Sequence, residues 1–109
     1  MSYKRGDILI VNFPYTDLTN TKKRPAVVVK DLEGQNIILC QMSTKKHTLS
    51  KYEVLVRRSD CIGNIRFDSF VFTDIIATLH KGVIFEKIGS INDMSVKKEL
   101  DEKLQLILS

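Results

Sequence analysis

A small barrel or strongly curved sheet of five to six mostly antiparallel strands, with one C-terminal helix, is the fold this 109-residue sequence predicts. Three observations carry the prediction. Short apolar runs rich in branched and aromatic residues recur between polar turn segments. Two of these runs, Ala26-Val27-Val28-Val29 and Ile37-Ile38-Leu39-Cys40, flank a Glu33-Gly34 turn as a buried hairpin. The period changes only at the end of the chain, where Val96, Leu100, Leu104 and Ile107 recur at four- and three-residue steps on one helical face.

Taken in order, Gly6-Asp7 opens a first strand over Ile8 to Phe13, whose two faces are both largely apolar, so both are covered. Pro14 ends it. Tyr15 to Lys23, with its Thr, Asn, Asp and Lys content, reads as an exposed loop placed to move over a site. The hairpin follows, with Arg24-Pro25 at the mouth of its first strand and Ser43-Thr44 at the end of its second. A two-residue turn centred on Glu33-Gly34 makes cross-strand partners sum to 67, so Val29 faces Ile38 and Arg24 faces Ser43. A turn of another length shifts the sum to 66 and sets Met42 opposite Arg24.

Thr44 to Lys51 is a polar connection, Tyr52 to Val56 a fourth strand, and Arg57 to Arg66 an irregular stretch with a turn at Gly63-Asn64. Ser69 to Thr73 forms a fifth strand and Lys87 to Ile91 a short sixth. Asn92 is placed to cap the final helix, whose other faces carry Lys97, Lys98, Glu99, Asp101, Glu102 and Lys103. Neither repeat nor linker interrupts the chain, so residues 1–109 read as a single domain, and 43% hydrophobic content suffices for one core.

Composition narrows the function classes. No stretch approaches the roughly 20 apolar residues of a membrane helix, and the N-terminus lacks an apolar signal core, which predicts a soluble cytoplasmic protein. Cys40 and Cys61 show no metal-ligand spacing and read as ordinary thiols; no cofactor or metal is expected. The formal charge of +4 suits a polyanionic partner. Its placement says more: Lys22, Lys23 and Arg24, then Lys45, Lys46, His47 and Lys51, then Arg57, Arg58 and Arg66, gather between strands. Two of these clusters flank the Arg24/Ser43 rim, where a planar guanidinium beside a hydroxyl suits a phosphate.

Read along its length, the sequence resembles the MazF/PemK toxins of bacterial type II toxin-antitoxin systems. The likeness lies in Arg5-Gly6-Asp7-Ile8, Asn12-Phe13-Pro14-Tyr15-Thr16-Asp17-Leu18, Lys23-Arg24-Pro25-Ala26-Val27-Val28-Val29 and Ile38-Leu39-Cys40-Gln41-Met42-Ser43-Thr44. It continues through Asp68-Ser69, Thr78-Leu79 and Ile88-Gly89-Ser90-Ile91. The resemblance implies an SH3-like barrel, a homodimer, growth inhibition by metal-independent, sequence-specific cleavage of single-stranded RNA such as mRNA, and a cognate antitoxin. It also implies DNA binding through the antitoxin complex. By the same resemblance Arg24 is the catalytic arginine and Ser43 the catalytic hydroxyl, usually a threonine in the family. Around them Lys22, Lys23, Thr44, Lys45, Lys46, His47, Tyr15, Thr16 and Asp17 are the residues expected to bind RNA. One departure stands out: some members carry Gln-Ile-Arg-Thr after the fifth strand, where this chain has Ile75-Ile76-Ala77-Thr78, so the target sequence does not transfer.

The chemistry expected is attack by the ribose 2′-OH on the adjacent phosphorus, giving a 2′,3′-cyclic phosphate and a free 5′-OH. Arg24 would stabilise the phosphorane and Ser43 orient the 2′-OH or an oxyanion. Arginine makes a poor base, which leaves His47 as the candidate acid or base and Asp17 as a partner for Arg24; His80 reads as structural. Two other classes stay open: a non-catalytic toxin that grips a protein such as DNA gyrase through its terminal helix, and a degenerate member that binds RNA or antitoxin without cutting.

Overall fold

The computed structural model describes residues 2–13, 22–45 and 50–109. Its architecture is one antiparallel sheet of seven strands with a C-terminal helix: β1 Asp7–Phe13, β2 Lys22–Asp31, β3 Asn36–Ser43, β4 Glu53–Val56, β5 Cys61–Gly63, β6 Ser69–His80, β7 Ile84–Ile91 and α1 Met94–Leu108. Strand order across the sheet is β4-β6-β3-β2-β1-β7-β5. Among the described residues no helix is long and apolar enough to cross a membrane.

The central strands are buried on both faces, because side chains alternate and both alternate sets are apolar. One face carries Ile8, Val27, Val29, Cys40 and Met42 against Val54, Val56 and Val71, and is covered by Val96, Leu100 and Leu104 of α1. The other carries Leu9, Val11, Ala26, Val28, Ile37 and Leu39, packed by Tyr3, Ile75, Ala77, Leu79, Val83 and Ile84. The expected helical stripe thus lies on the sheet, with Ile107 half-buried at its end.

Five expectations are corrected. The strand count rises to seven because the stretch read as irregular, Arg57 to Arg66, holds a short turn at Arg58–Asp60 and then β5. Gly63 at the end of β5 and Gly89 of β7 are paired, and a Cβ on Gly63 would lie 2.5 Å from the Ile88 carbonyl oxygen, so only glycine lets β5 lie against β7. The fifth strand of the sequence reading, now β6, does not stop at Thr73 but continues to His80. It absorbs a bulge between Phe72, which pairs with Gln41, and Ile76, which pairs with Cys40. The buried Thr73 Oγ1 donates to the Tyr52 carbonyl at 2.6 Å inside that bulge. Ile75 to Thr78 therefore lie within the strand, and the short sixth strand expected from Lys87 begins at Ile84 as β7.

The hairpin register follows the sum of 67 from Ala26–Gln41 through Val28–Leu39, then shifts by one so that Lys30 meets Ile38. Val29 is consequently the bulged residue and does not face Ile38. Arg5 Nε donates to the Val29 carbonyl at 2.9 Å, which gives that displaced group a partner. At the turn Glu33 takes φ +67°, with its N–H held by Asp31 Oδ1 at 2.8 Å. Finally, Asp93, not Asn92, caps α1: its Oδ1 accepts from the N–H groups of Ser95 at 2.9 Å and Val96 at 3.1 Å.

Candidate RNA-cleaving site

Arg24 and Ser43 reach the same rim through the hairpin. Ala26 and Gln41 are cross-strand partners, and two-residue periodicity puts Arg24 on the face of Ala26 and Ser43 on the face of Gln41. The ladder stops at Ala26–Gln41, two residues short of Arg24 and Ser43, so the two share a face without being ladder partners. The alternative register, with Met42 opposite Arg24, does not occur, since Met42 is buried in the other cluster, under α1.

The two strands part at this rim. The β2–β3 ladder runs from Asp31–Ile37 to Ala26–Gln41, while β2 stays beside β1 as far as Lys22 and β3 stays beside β6 as far as Ser43. Pro25, which brings no N–H donor, stands where the ladder gives out. Arg24 and Ser43 thus stand where the two strands diverge, each strand being held from its outer side. Both side chains are half-buried, so they are supported by the fold yet open to a ligand.

Local contacts fix the hydroxyl. Ser43 Oγ accepts from the Lys45 backbone N–H at 3.1 Å, which occupies one lone pair and leaves the O–H still able to donate. Lys22, Lys23, Thr44 and Lys45 are all exposed around the rim. Lys23 Nζ lies 4.1 Å from the ring centroid of Phe85, a cation–π contact between β2 and β7. Tyr15, Thr16, Asp17, Lys46 and His47 lie outside the described residues. His80 ends β6, where its Nδ1 accepts from the Gly82 N–H at 2.8 Å, a structural role as expected.

Deeper on the Arg24 face, Glu53, Phe72 and Gln41 form a cross-strand row. Gln41 Oε1 and Glu53 Oε1 are buried with no hydrogen-bond partner among the described residues. The thiols take no part: Cys40 is buried and Cys61 half-buried, both are unpaired, and burial pushes them up to about 12 and about 11. Among the described residues no group of three or more His, Cys, Asp or Glu side chains could hold a metal ion.

One set of residues escaped the sequence reading. Asn64, Ile65 and Phe67, together with Arg66 of the third basic cluster, line a cavity beside Thr44. The available signal was an aromatic side chain set between an arginine and an aspartate just after a Gly-Asn turn.

Known proteins share the family and the fold of this chain. The family model for the PemK-like, MazF-like toxin of type II toxin-antitoxin systems matches residues 4–108. The fold is similar to a solved structure of the Mycobacterium tuberculosis toxin MazF-mt6 (TM-score 0.72, 19% identity, 94% of this chain and 95% of that one). It is also similar to MazF from Deinococcus radiodurans (TM-score 0.70, 18% identity, 97% and 96%). A third similar structure is an endoribonuclease in complex with its cognate antitoxin from a mycobacterial species (TM-score 0.69, 14% identity, 98% and 95%). None of the curated proteins searched matches the chain. With a family model covering almost its whole length and a fold shared with solved MazF structures, the chain belongs to the PemK-like, MazF-like toxins of type II toxin-antitoxin systems.

Proposed function

We propose that this toxin is an endoribonuclease that cleaves single-stranded RNA at short sequences, with Arg24 and Ser43 as its catalytic pair. The observation that supports the reading is the parting of β2 and β3, which leaves a half-buried arginine and a half-buried serine on one face, among exposed lysines.

The step is an in-line transesterification. The 2′-oxygen forms a bond to the adjacent phosphorus as the 2′-OH loses its proton. The P–O5′ bond breaks, and the departing 5′-oxygen takes up a proton to become a 5′-OH. Arg24 holds two nonbridging oxygens in its planar fork and stabilises the charge that grows on the phosphorane. Ser43 donates its O–H to the 2′-oxygen or to a nonbridging oxygen and so fixes the attack geometry. His47 is the proposed proton carrier, because imidazole titrates near neutrality and it follows Ser43 closely in the chain.

The functional unit we propose is a cytoplasmic homodimer held in check by a cognate antitoxin, in keeping with the antitoxin-bound endoribonuclease of similar fold. Binding of DNA would belong to that toxin-antitoxin complex. The test is incubation of the purified protein with a long single-stranded RNA in excess chelator, followed by sequencing of the new 5′ ends. Cuts at a recurring short sequence support the reading, and intact RNA contradicts it.

A further inference from the structure

Where β2 and β3 part, a mainly apolar cavity of about 210 Å³ opens on the face of the sheet opposite Arg24. Pro25, Met42 and Ile65 line it, and Phe67 stands at its edge with 67% of its surface exposed. Thr44, the residue after Ser43, lines this cavity and also an adjoining open depression of about 440 Å³ that Arg58, Arg66 and Asp68 border. The loop is held in place: the Arg58 N–H donates to Asp68 Oδ1 at 2.9 Å, and the Asn64 N–H donates to the Ile88 carbonyl at 2.8 Å.

Size and charge narrow the occupant. The cavity is smaller than the roughly 300 Å³ at which pockets for drug-sized ligands begin, so it suits one flat ring system. An exposed ring beside Arg58 and Arg66 is the arrangement on which unstacked bases lie while their phosphates follow the basic groups; the anion there, Asp68, is engaged by the Arg58 N–H. The pattern recurs at the far side of Pro25, where Lys23, on the same face of β2, sits over the half-exposed Phe85. Two exposed phenylalanines, each with a cation beside it, therefore lie on either side of Pro25.

We infer that this groove is a base-stacking subsite for single-stranded RNA: a base flanking the cut phosphate stacks on Phe67, while Arg66 and Arg58 hold the backbone phosphate. The inference rests on the ribonuclease reading and adds residues that set which base is accepted, with Asn64 and Thr44 placed to read its edge.

The test uses the full chain and an RNA carrying 2′-O-methyl groups throughout, which binds without being cut. Phe67→Ala should weaken its binding about fivefold or more, and Phe67→Trp should restore it, because any aromatic face serves the stack. Arg58→Ala and Arg66→Ala should each lower the slope of log affinity against log salt by about 0.7. In the wild-type amide spectrum, RNA should shift the resonances of Ile65 and Phe67. If Phe67→Ala binds as well as wild type while Arg24→Ala binds more weakly, the subsite is refuted and the ribonuclease reading stands. If wild type binds no RNA, both fail. An acidic apolar peptide that shifts Ile65 and Phe67 when RNA does not would assign the groove to a protein partner and overturn the inference.

Discussion

Gly63 of β5 lies directly across from Gly89 of β7, so close that a Cβ on Gly63 would sit 2.6 Å from the Gly89 Cα. Gly63 also adopts φ +111°, a conformation that penalises any L side chain. This contact fixes where the segment from Asn64 to Asp68 leaves the sheet, and hence one wall of the groove beside Ser43. Gly63→Ala is expected to destabilise the protein by about 2 kcal/mol or more, through strain and overlap together. Gly34→Ala meets no atom within 4 Å and should be close to neutral. Urea unfolding of the two variants measures the difference.

The long course of β6 depends on Thr73. Thr73 is fully buried, and its hydroxyl donates to the Tyr52 carbonyl at 2.6 Å within the bulge. Thr73→Val keeps the shape but strips that carbonyl of its partner, at a cost of about 1–3 kcal/mol. Thr73→Ser retains the donor and should cost less. Thermal unfolding followed by circular dichroism ranks the three proteins.

Acid stability should carry the mark of Asp31. The Lys81 ammonium, 2.7 Å from Oδ1, and the N–H groups of Glu33 and Tyr3 lower its pKa from 3.8 to about 2. A carboxylate with a depressed folded pKa stabilises the protein above its unfolded value and loses that contribution as pH falls through the folded one. The stability difference between wild type and Asp31→Asn should thus be full above about pH 4 and shrink as the pH falls toward 2. Urea midpoints taken across that range check the sign; a difference that grew toward low pH would contradict it.

Ser43 should behave as a donor and not as a space-filler. Ser43→Ala is expected to lower the cleavage rate on the order of 10²-fold. Ser43→Thr keeps the hydroxyl and stiffens χ1, so it should cut at least as well as wild type. Single-turnover rates with the two variants separate this role from a loss of folding, which would affect both.

How much of this was legible in the sequence varies with the range of the interaction that decides it. The hairpin register was legible in part because pairing is local arithmetic, and the sum of 67 holds from Val28–Leu39 to Ala26–Gln41. The helix was legible because Val96, Leu100 and Leu104 share a face whatever they pack against. The bulges were not. Displacement of Val29 is matched by Arg5, and the excursion after Phe72 by Tyr52, and such long-range partners leave no periodic trace. For the same reason β5, three residues long, showed no alternation to detect. The choice of Asp93 over Asn92 as cap was equally open, since either side chain can accept the first N–H groups of a helix. Phe67 escaped because an exposed phenylalanine acquires meaning only when Thr44 and Pro25 are seen beside it.

The central claim is that the substrate's own 2′-OH is the nucleophile and that Arg24 stabilises what it forms. The most direct measurement uses a DNA strand of the mapped target sequence with a single ribonucleotide at the cut position, in excess chelator. The account predicts one cut, 3′ to that ribose, leaving a 2′,3′-cyclic phosphate and a 5′-OH, with the rate reduced on the order of 10²-fold or more in Arg24→Ala. Cutting of the all-DNA strand, a 5′-phosphate at the new end, or an undiminished rate in Arg24→Ala would contradict it.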